Sequence, residues 1–340
     1  MTPLFRRSHR NRSGEDGDRP GPSRRVEAAA PDTLGELSRR SWWAVLRRTG
    51  KEFLEDELPD RAAALTYYSV LAIFPALLVL VSVLGVAGTT ATTAVLDHVE
   101  KLAPGATRDI LRNAVDQLQN NTGTSAVLLV VGLAAALWSA SGYVAAFIRS
   151  SNAVYDIREG RPVWKTTSLR LWLTLLLMAL LTASAVIVVF TGPLADRVGR
   201  ALGLGSTALT VWSIAKWPVL VLLVVLMIAV LYWAAPNVRD RGFRWISPGS
   251  ALAVALWMAA SAGFALYVAN FSSYNRTYGT LAGVIVFLVW LWISNLAILL
   301  GLEFDAELSR ERAIEGGLPK NEEPYVRPRD TNTWPEDEQP

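Results

Sequence analysis

Six long apolar stretches divide the chain: residues 65–87, 125–148, 171–192, 209–235, 246–271 and 280–302. Each supplies the roughly 20 residues a helix needs to cross a hydrocarbon core of about 30 Å, where every backbone amide must be bonded internally. All are too long for buried strands, and six together exceed what one soluble core would hold. The pattern predicts an all-α, polytopic membrane bundle of six transmembrane helices. Outside the spans the character changes. Residues 1–33 are rich in Arg, Pro, Gly, Ser and acids with almost nothing to bury, and read as a disordered arm. Residues 311–340 are acidic and Pro-rich, and read as a disordered tail closing the membrane domain of 65–310.

Residues 34–64 carry a different signal. Leu34, Trp42, Val45, Leu46 and Phe53 fall within one third of a helical wheel, with Arg40, Arg47, Arg48 and Lys51 outside it. Such a helix suits an anionic lipid surface; a helix packed on the protein's own cytoplasmic face has the same pattern. The loop 88–124 is long enough to fold. Val95, Val99 and Leu102, then Ile110, Leu111, Ala114, Val115 and Leu118, recur at helical spacing around Pro104-Gly105. They predict an outer helical hairpin over 92–120.

Composition agrees: the chain of 340 residues is 51% hydrophobic and 19% charged. Lys and Arg fix the orientation. With the N-terminus inside, the inner segments hold 26 of them and the outer loops six, so both termini are expected in the cytoplasm. The first apolar run begins too far along for a cleaved signal peptide, and the first span is expected to act as the anchor. With no cysteine there is no disulfide, thiolate metal site or cysteine nucleophile.

Few residues inside the spans carry chemistry. Lys216 is the one charge well inside a span, and charge at depth is costly. Trp212 and Trp217 flank it near the outer end, which favours a stem that snorkels to the headgroups. Pro75, after Tyr67 and Tyr68, would kink the first span and free the carbonyl of Leu71; this is either a hinge beside a substrate site or an ordinary kink. Asn270, Tyr274 and Asn295 complete the candidate cavity or hinge set. Glu303, Asp305 and Glu307 read as the exit of the last span. Ala251, Ala255, Ala259 and Gly263 form an i, i+4 ridge on the fifth span, and Gly279 and Gly283 open the sixth. Such small residues let helix backbones touch; packing within the chain is expected, and an oligomer contact is the other reading.

A weak internal repeat is also visible. Phe74 to Val79 (FPALLV) resembles Trp217 to Leu222 (WPVLVL), and Leu133 to Trp138 (LAAALW) resembles Leu252 to Trp257 (LAVALW). Three spans per unit would make this a 3+3 inverted repeat, an architecture of secondary transporters.

Several phrases together resemble the YihY/virulence factor BrkB family of bacterial inner-membrane proteins, over about residues 50–310. They are Ala62 to Pro75 (AAALTYYSVLAIFP); Asn152, Tyr155 and Asp156 followed by Arg161, Pro162, Trp164 and Lys165; Pro248, Gly249 and Ala251 leading to Trp257; Tyr274, Tyr278 and Gly279; and Trp290, Gly301 and Glu303. The resemblance implies a six-span cell-membrane protein with no assigned biochemical activity, loosely associated with serum resistance and envelope lipids. The family once carried the name ribonuclease BN. That activity would need clustered His and Asp around zinc, whereas this chain has two histidines, His9 in the arm and His98 on the outer side. No histidine is placed to serve a Ser-His-Asp triad, and no phosphate-binding glycine loop is present. No enzyme activity, cofactor, metal or nucleic-acid partner is expected. Transport or flipping of a lipid or other envelope component is the leading expectation; a scaffold for envelope-building partners is the alternative.

Overall fold

The computed structural model describes residues 21–31, 33–86, 125–189, 206–239, 247–270 and 280–335. Two short elements, α1 (Arg24–Ala29) and a 3-10 turn (Leu34–Glu36), precede α2 (Arg39–Glu55). Six long helices follow: α3 (Leu58–Val86), α4 (Ser125–Val154), α5 (Val163–Val189), α6 (Ser206–Ala234), α7 (Pro248–Asn270) and α8 (Thr280–Glu315). Among the described residues there is no strand, only an isolated bridge between Val238 and Pro328. Four helical segments, Val163–Val188, Leu209–Ala234, Pro248–Tyr267 and Gly283–Glu315, are long and apolar enough to cross a membrane. Their outward faces carry exposed side chains such as Leu181, Leu222, Leu266 and Ile285, the surface a helix presents to lipid. The predicted hairpin over 92–120 lies outside the described residues.

The well-packed core lies at one end of the bundle, where α3, α5 and α7 begin and α4, α6 and α8 finish. Leu58, Leu65, Phe147, Leu173, Leu231, Leu299 and Leu302 are buried there in one cluster. At α8's 36 residues the rise of 1.5 Å per residue gives about 54 Å, far more than a bilayer core requires. The excess runs past this closed end and forms the platform on which α2 lies. Leu37 and Val45 pack on Phe304 and Leu308, and Trp42 stacks on Phe304 at 6.2 Å. Of the two readings of the amphipathic segment, the structure therefore shows the helix seated on the protein itself. It also ends α2 at Glu55; Asp56 and Glu57 turn the chain, and residues 58–64 belong to the first long helix.

The small residues that bring helices into contact are not those of the predicted ridge. Backbones of α7 and α8 touch where a Cβ on Gly301 would fall 2.4 Å from the Gly249 carbonyl oxygen, and one on Gly249 2.0 Å from the Gly301 oxygen. Ala253, one turn on from Gly249, is fully buried in the same seam. Ala251 lies two positions before Ala253, about 200° round the helix. It is exposed, as are Ala255, Ala259 and Gly263, and a Cβ on Gly263 or Gly283 would meet nothing. The ridge faces outward, which differs from the intramolecular packing expected of it. Gly279 lies outside the described residues.

The C-terminal segment also differs from expectation. Helix α8 continues to Glu315, and residues 316–335, read from sequence as disordered, lie ordered across the closed end. Arg239 N donates to Arg327 O at 2.8 Å and Arg329 N to Asn237 O at 2.9 Å. Tyr325 is buried and donates its hydroxyl to the Val154 carbonyl at 3.2 Å. Proline and charge suggested a solvated tail, but Tyr325, Val326 and Trp334 supply apolar anchors. Part of the N-terminal arm is ordered too: Ser23 caps α1, accepting from Val26 N at 3.3 Å.

Candidate functional site at the closed end of the bundle

Every fourth residue of α8 from Asn295 on, namely Asn295, Leu299, Glu303, Glu307, Glu311 and Glu315, belongs to one row that winds round the helix by about 40° per step. The row meets α3 first and α2 further along. Arg48 from α2 serves two of the glutamates: its Nε pairs with Glu307 and its Nη2 donates to Glu311 at 2.7 Å. Ser41 donates to Glu315. Glu303 is answered by another acid: the Asp56 carboxyl at the α2–α3 corner lies beside it. Glu303 is 1% exposed, and its Oε2 has no hydrogen-bond partner among the described residues. Its place at the end of the last apolar run is that of a helix exit, yet the side chain is buried.

Two turns up α8, Asn295 joins three helices. Its Nδ2 donates to Thr66 Oγ1 at 3.2 Å, and its Oδ1 accepts from the Tyr143 hydroxyl at 3.1 Å. Thr66 in turn donates to the Ala62 carbonyl at 2.8 Å. A buried amide satisfied this way rigidifies a junction, because leaving either end unpaired costs about 1–3 kcal/mol.

The other candidates are dispersed. Tyr67 is 61% exposed and meets Tyr68 edge-on at 5.3 Å, while Tyr68 packs against Gly142. Lys216 is 8% exposed, with Nζ 5.4 Å from the centre of the Trp217 ring. Packed among the helices, the cation gains from the ring part of what it gives up in solvation. Of Pro75 and Asn270 only the helical backbone is described, and Tyr274 lies outside the described residues. A cleft of about 130 Å³ at the closed end is lined by Tyr155, Tyr232, Arg239, Arg312 and Arg327 among others. None of Tyr67, Tyr68 and Lys216 lines it.

A second polar cluster closes the base of α4, α5 and α6. The Arg161 guanidinium grips Glu159 with two donors at 2.7 Å each, and reaches the Ala235 and Ala234 carbonyls at 2.7 and 3.3 Å. Asn152 donates to Glu159 at 2.9 Å and accepts from Asn237 N at 2.7 Å. Asn237 Nδ2 reaches the Asp330 carbonyl at 2.8 Å, and the Asp330 carboxylate pairs with Lys165 at 2.6 Å. This clasp fixes the C-terminal segment and explains the sequence phrase around Asn152 and Arg161 as helix-end satisfaction. Burial pushes the Glu159 carboxyl upward, but the bonds from Arg161 and Asn152 outweigh it and hold it below its ordinary value. For Asp330 slight burial is likewise outweighed by the bond from Lys165.

Both acids are lowered in the folded protein, so their stabilisation is present above the ordinary carboxylate range and is lost as pH falls through the lowered values. An acid-active protease should therefore begin to cut within residues 318–335 only on acidification into that range. Cutting that is equally fast at neutral pH would contradict the clasp.

These features define a helical integral membrane protein, sealed at one end by polar staples and with long apolar helices toward lipid. The chain belongs to the virulence factor BrkB family, whose model matches residues 49–325. It is 29% identical over 260 residues to the putative ribonuclease-like protein YfkH of Bacillus subtilis, covering 76% of this chain and 93% of that one. It is 30% identical over 274 residues to a UPF0761 membrane protein of Alkalilimnicola ehrlichii, covering 76% of this chain and 57% of that one. A UPF0761 membrane protein of Xanthomonas campestris is 29% identical over 272 residues, with 77% of this chain and 60% of its own length covered. The chain thus spans about three-fifths of these UPF0761 relatives. No solved structure gives a significant match.

Proposed function

We propose that the protein is a six-span inner-membrane protein, N-terminus and C-terminus in the cytoplasm, that moves a lipid or other envelope component across the bilayer without hydrolysing ATP itself. The observation that carries this reading is the polar column at the closed end, Glu303 with Asp56 below Asn295, Thr66 and Tyr143. Acids and amides buried at or near membrane depth are expensive, and transporters keep them for ion and substrate handling. The paired prolines, Pro75 in α3 and Pro218 in α6, fit the 3+3 repeat and add support. The scaffold reading draws on a different observation, the clasp that holds the C-terminal segment against the bundle as a rigid surface for a partner. The outward ridge of Ala251, Ala255, Ala259 and Gly263 offers an oligomer contact in either case. We read no ribonuclease activity into the YfkH name, since His9 and His98 fall on opposite sides of the membrane in this topology.

Transport is tested in proteoliposomes of bacterial lipid extract carrying a fluorescent phosphatidylglycerol. Faster exchange between leaflets than in protein-free vesicles is expected; equal rates with this probe and with the extract's own lipids would favour the scaffold. Topology is tested with single cysteines, which are unambiguous in a cysteine-free chain. In intact cells a membrane-impermeant thiol reagent should label Gly105→Cys and Asn275→Cys but not Lys320→Cys or Asp240→Cys. The opposite pattern would invert the orientation. Gly160→Cys is unsuitable as an inner probe, because a Cβ there would lie 1.8 Å from the Asp330 carbonyl oxygen.

A further inference from the structure

We propose that Asp56 and Glu303 form a buried proton-binding site, loaded from the side on which α2 lies, that supplies the ion coupled to transport. The site rests on the transport reading for its coupling role, not for its existence. Burial sets the protonation state. The Asp56 carboxyl lies beside Glu303, and two ionised carboxylates are acceptors only, so the two can bond to each other only when one carries hydrogen. The second oxygen of Glu303, Oε2, is sealed from solvent with no partner among the described residues. An ionised carboxylate would leave a charged oxygen there without compensation, at high cost; a neutral carboxyl does not.

Among the described residues no cation forms an ion pair with Glu303. On α2, Arg48 is engaged by Glu307 and Glu311, while Glu52 and Glu55 add negative charge. On α3, Arg61 faces Asp56 and donates its Nε to the Asp56 backbone carbonyl at 2.7 Å. On α8, Glu307 is one turn away, and Arg310 is shared between Glu307 and Glu323 at 3.5 and 3.4 Å. The Tyr325 phenol faces Glu303, and the Asp156 carboxyl faces Asp56. Burial, with Glu307 and Glu55 beside it, keeps the Asp56 carboxyl above its ordinary value despite Glu303 and Arg61. Asp56 is half-buried and Glu303 is sealed, so the proton enters at Asp56 and is held on Glu303. Eight residues along α8, about 12 Å, Asn295 continues the column toward the membrane interior with Thr66 and Tyr143. Buried acids below an amide and hydroxyls on membrane helices are the groups that pumps and transporters use as proton relays. A divalent cation is the competing ligand for an acidic cluster, but no group of three or more acids or histidines with metal-holding geometry occurs among the described residues.

The test is infrared difference spectroscopy of the whole protein in lipid nanodiscs, titrated from mildly acidic to alkaline solution. A protonated-carboxyl band should be present at neutral pH, shift in heavy water, and be lost in Glu303→Gln, which keeps the side chain's shape. In Asp56→Asn the same band should move, because the carboxyl beside it has been replaced by an amide. Absence of the band at neutral pH, or its survival in Glu303→Gln, overturns the site. Loss of the band on adding magnesium chloride overturns it in favour of a cation site. The coupling claim is read separately, in the proteoliposomes above under an imposed pH gradient. Leaflet exchange should respond to the gradient in the wild type and lose that response in Glu303→Gln. Exchange indifferent to the gradient overturns coupling while leaving transport standing. Should wild-type vesicles show no exchange while the band behaves as described, the transport reading fails and the proton site remains.

Discussion

Gly301→Val is expected to prevent the bundle from closing. A Cβ at this position would lie 2.4 Å from the Gly249 carbonyl oxygen and 2.7 Å from both the Ala253 Cβ and the Tyr232 hydroxyl. The nearest atom is backbone of α7, so a rotamer change cannot relieve the clash. Overpacking of a close-packed core costs about 1–3 kcal/mol, and a backbone clash belongs at the top of that range or beyond. The nearby hydrogen bonds move with it: Asp305 accepts from Gly249 N at 2.7 Å and from the Ser247 hydroxyl, anchoring the start of α7. The control is Gly263→Ala, where the added methyl meets open space. Alanine in place of an exposed helical glycine should be neutral or stabilise by about 0.5–1 kcal/mol. Thermal unfolding in detergent together with expression level separates the two variants. If Gly301→Val melts like the wild type, the α7–α8 contact does not exist as described.

Arg161→Ala should be nearly as damaging, for an electrostatic reason. The guanidinium satisfies both oxygens of Glu159 and two carbonyls at the end of α6, and its side chain is 5% exposed. Removing it takes the counter-charge from a carboxylate, which keeps only the bonds from Asn152 and the residue-161 backbone, and leaves two carbonyls without this donor where solvent reaches them poorly. Breaking a buried ion pair costs about 3–5 kcal/mol, and since Glu159 is about a third exposed the lower end applies. Glu159→Gln alone should cost less, because Asn152 and the Arg161 backbone still have an oxygen to bond. The two substitutions share one network, so their combined effect should fall short of the sum. Equal, additive and small effects in the same melting assay would mean that the clasp holds nothing.

Much of this architecture was legible in the sequence because the bilayer imposes a length on helices that soluble proteins do not face. The long apolar runs correspond to α3–α8, with ends shifted where a span continues beyond the membrane: α3 begins at Leu58 and α8 ends at Glu315. Which face of a helix turns inward was not legible. In α7 both faces are small and apolar, so the Ala251 ridge and the Gly249–Ala253 seam look alike until α8 is placed against one of them. Tail order was missed for a related reason. Its anchors are single residues, Tyr325 and Trp334, scattered among prolines and charges, and no periodicity announces them. The glutamates at i, i+4 from Glu303 to Glu315 were readable as a stripe, but a charged stripe normally faces water. Only Arg48 and Asp56, some 250 residues earlier in the chain, turn Glu303, Glu307 and Glu311 into a buried seam, with Ser41 holding the exposed Glu315 at its end. The family phrases follow the same logic: those around Asn152, Gly249 and Gly301 fall on the closed end, where helices meet.

The central claim, movement of an envelope lipid by a membrane protein of this family, is tested most directly in cells. Leaflet-resolved lipid analysis would compare the wild type, a strain lacking the protein, and that strain carrying Glu303→Gln at wild-type expression. The account predicts that at least one lipid class shifts between inner and outer leaflets when the protein is absent, and stays shifted with Glu303→Gln. Identical leaflet compositions in all three strains would contradict it.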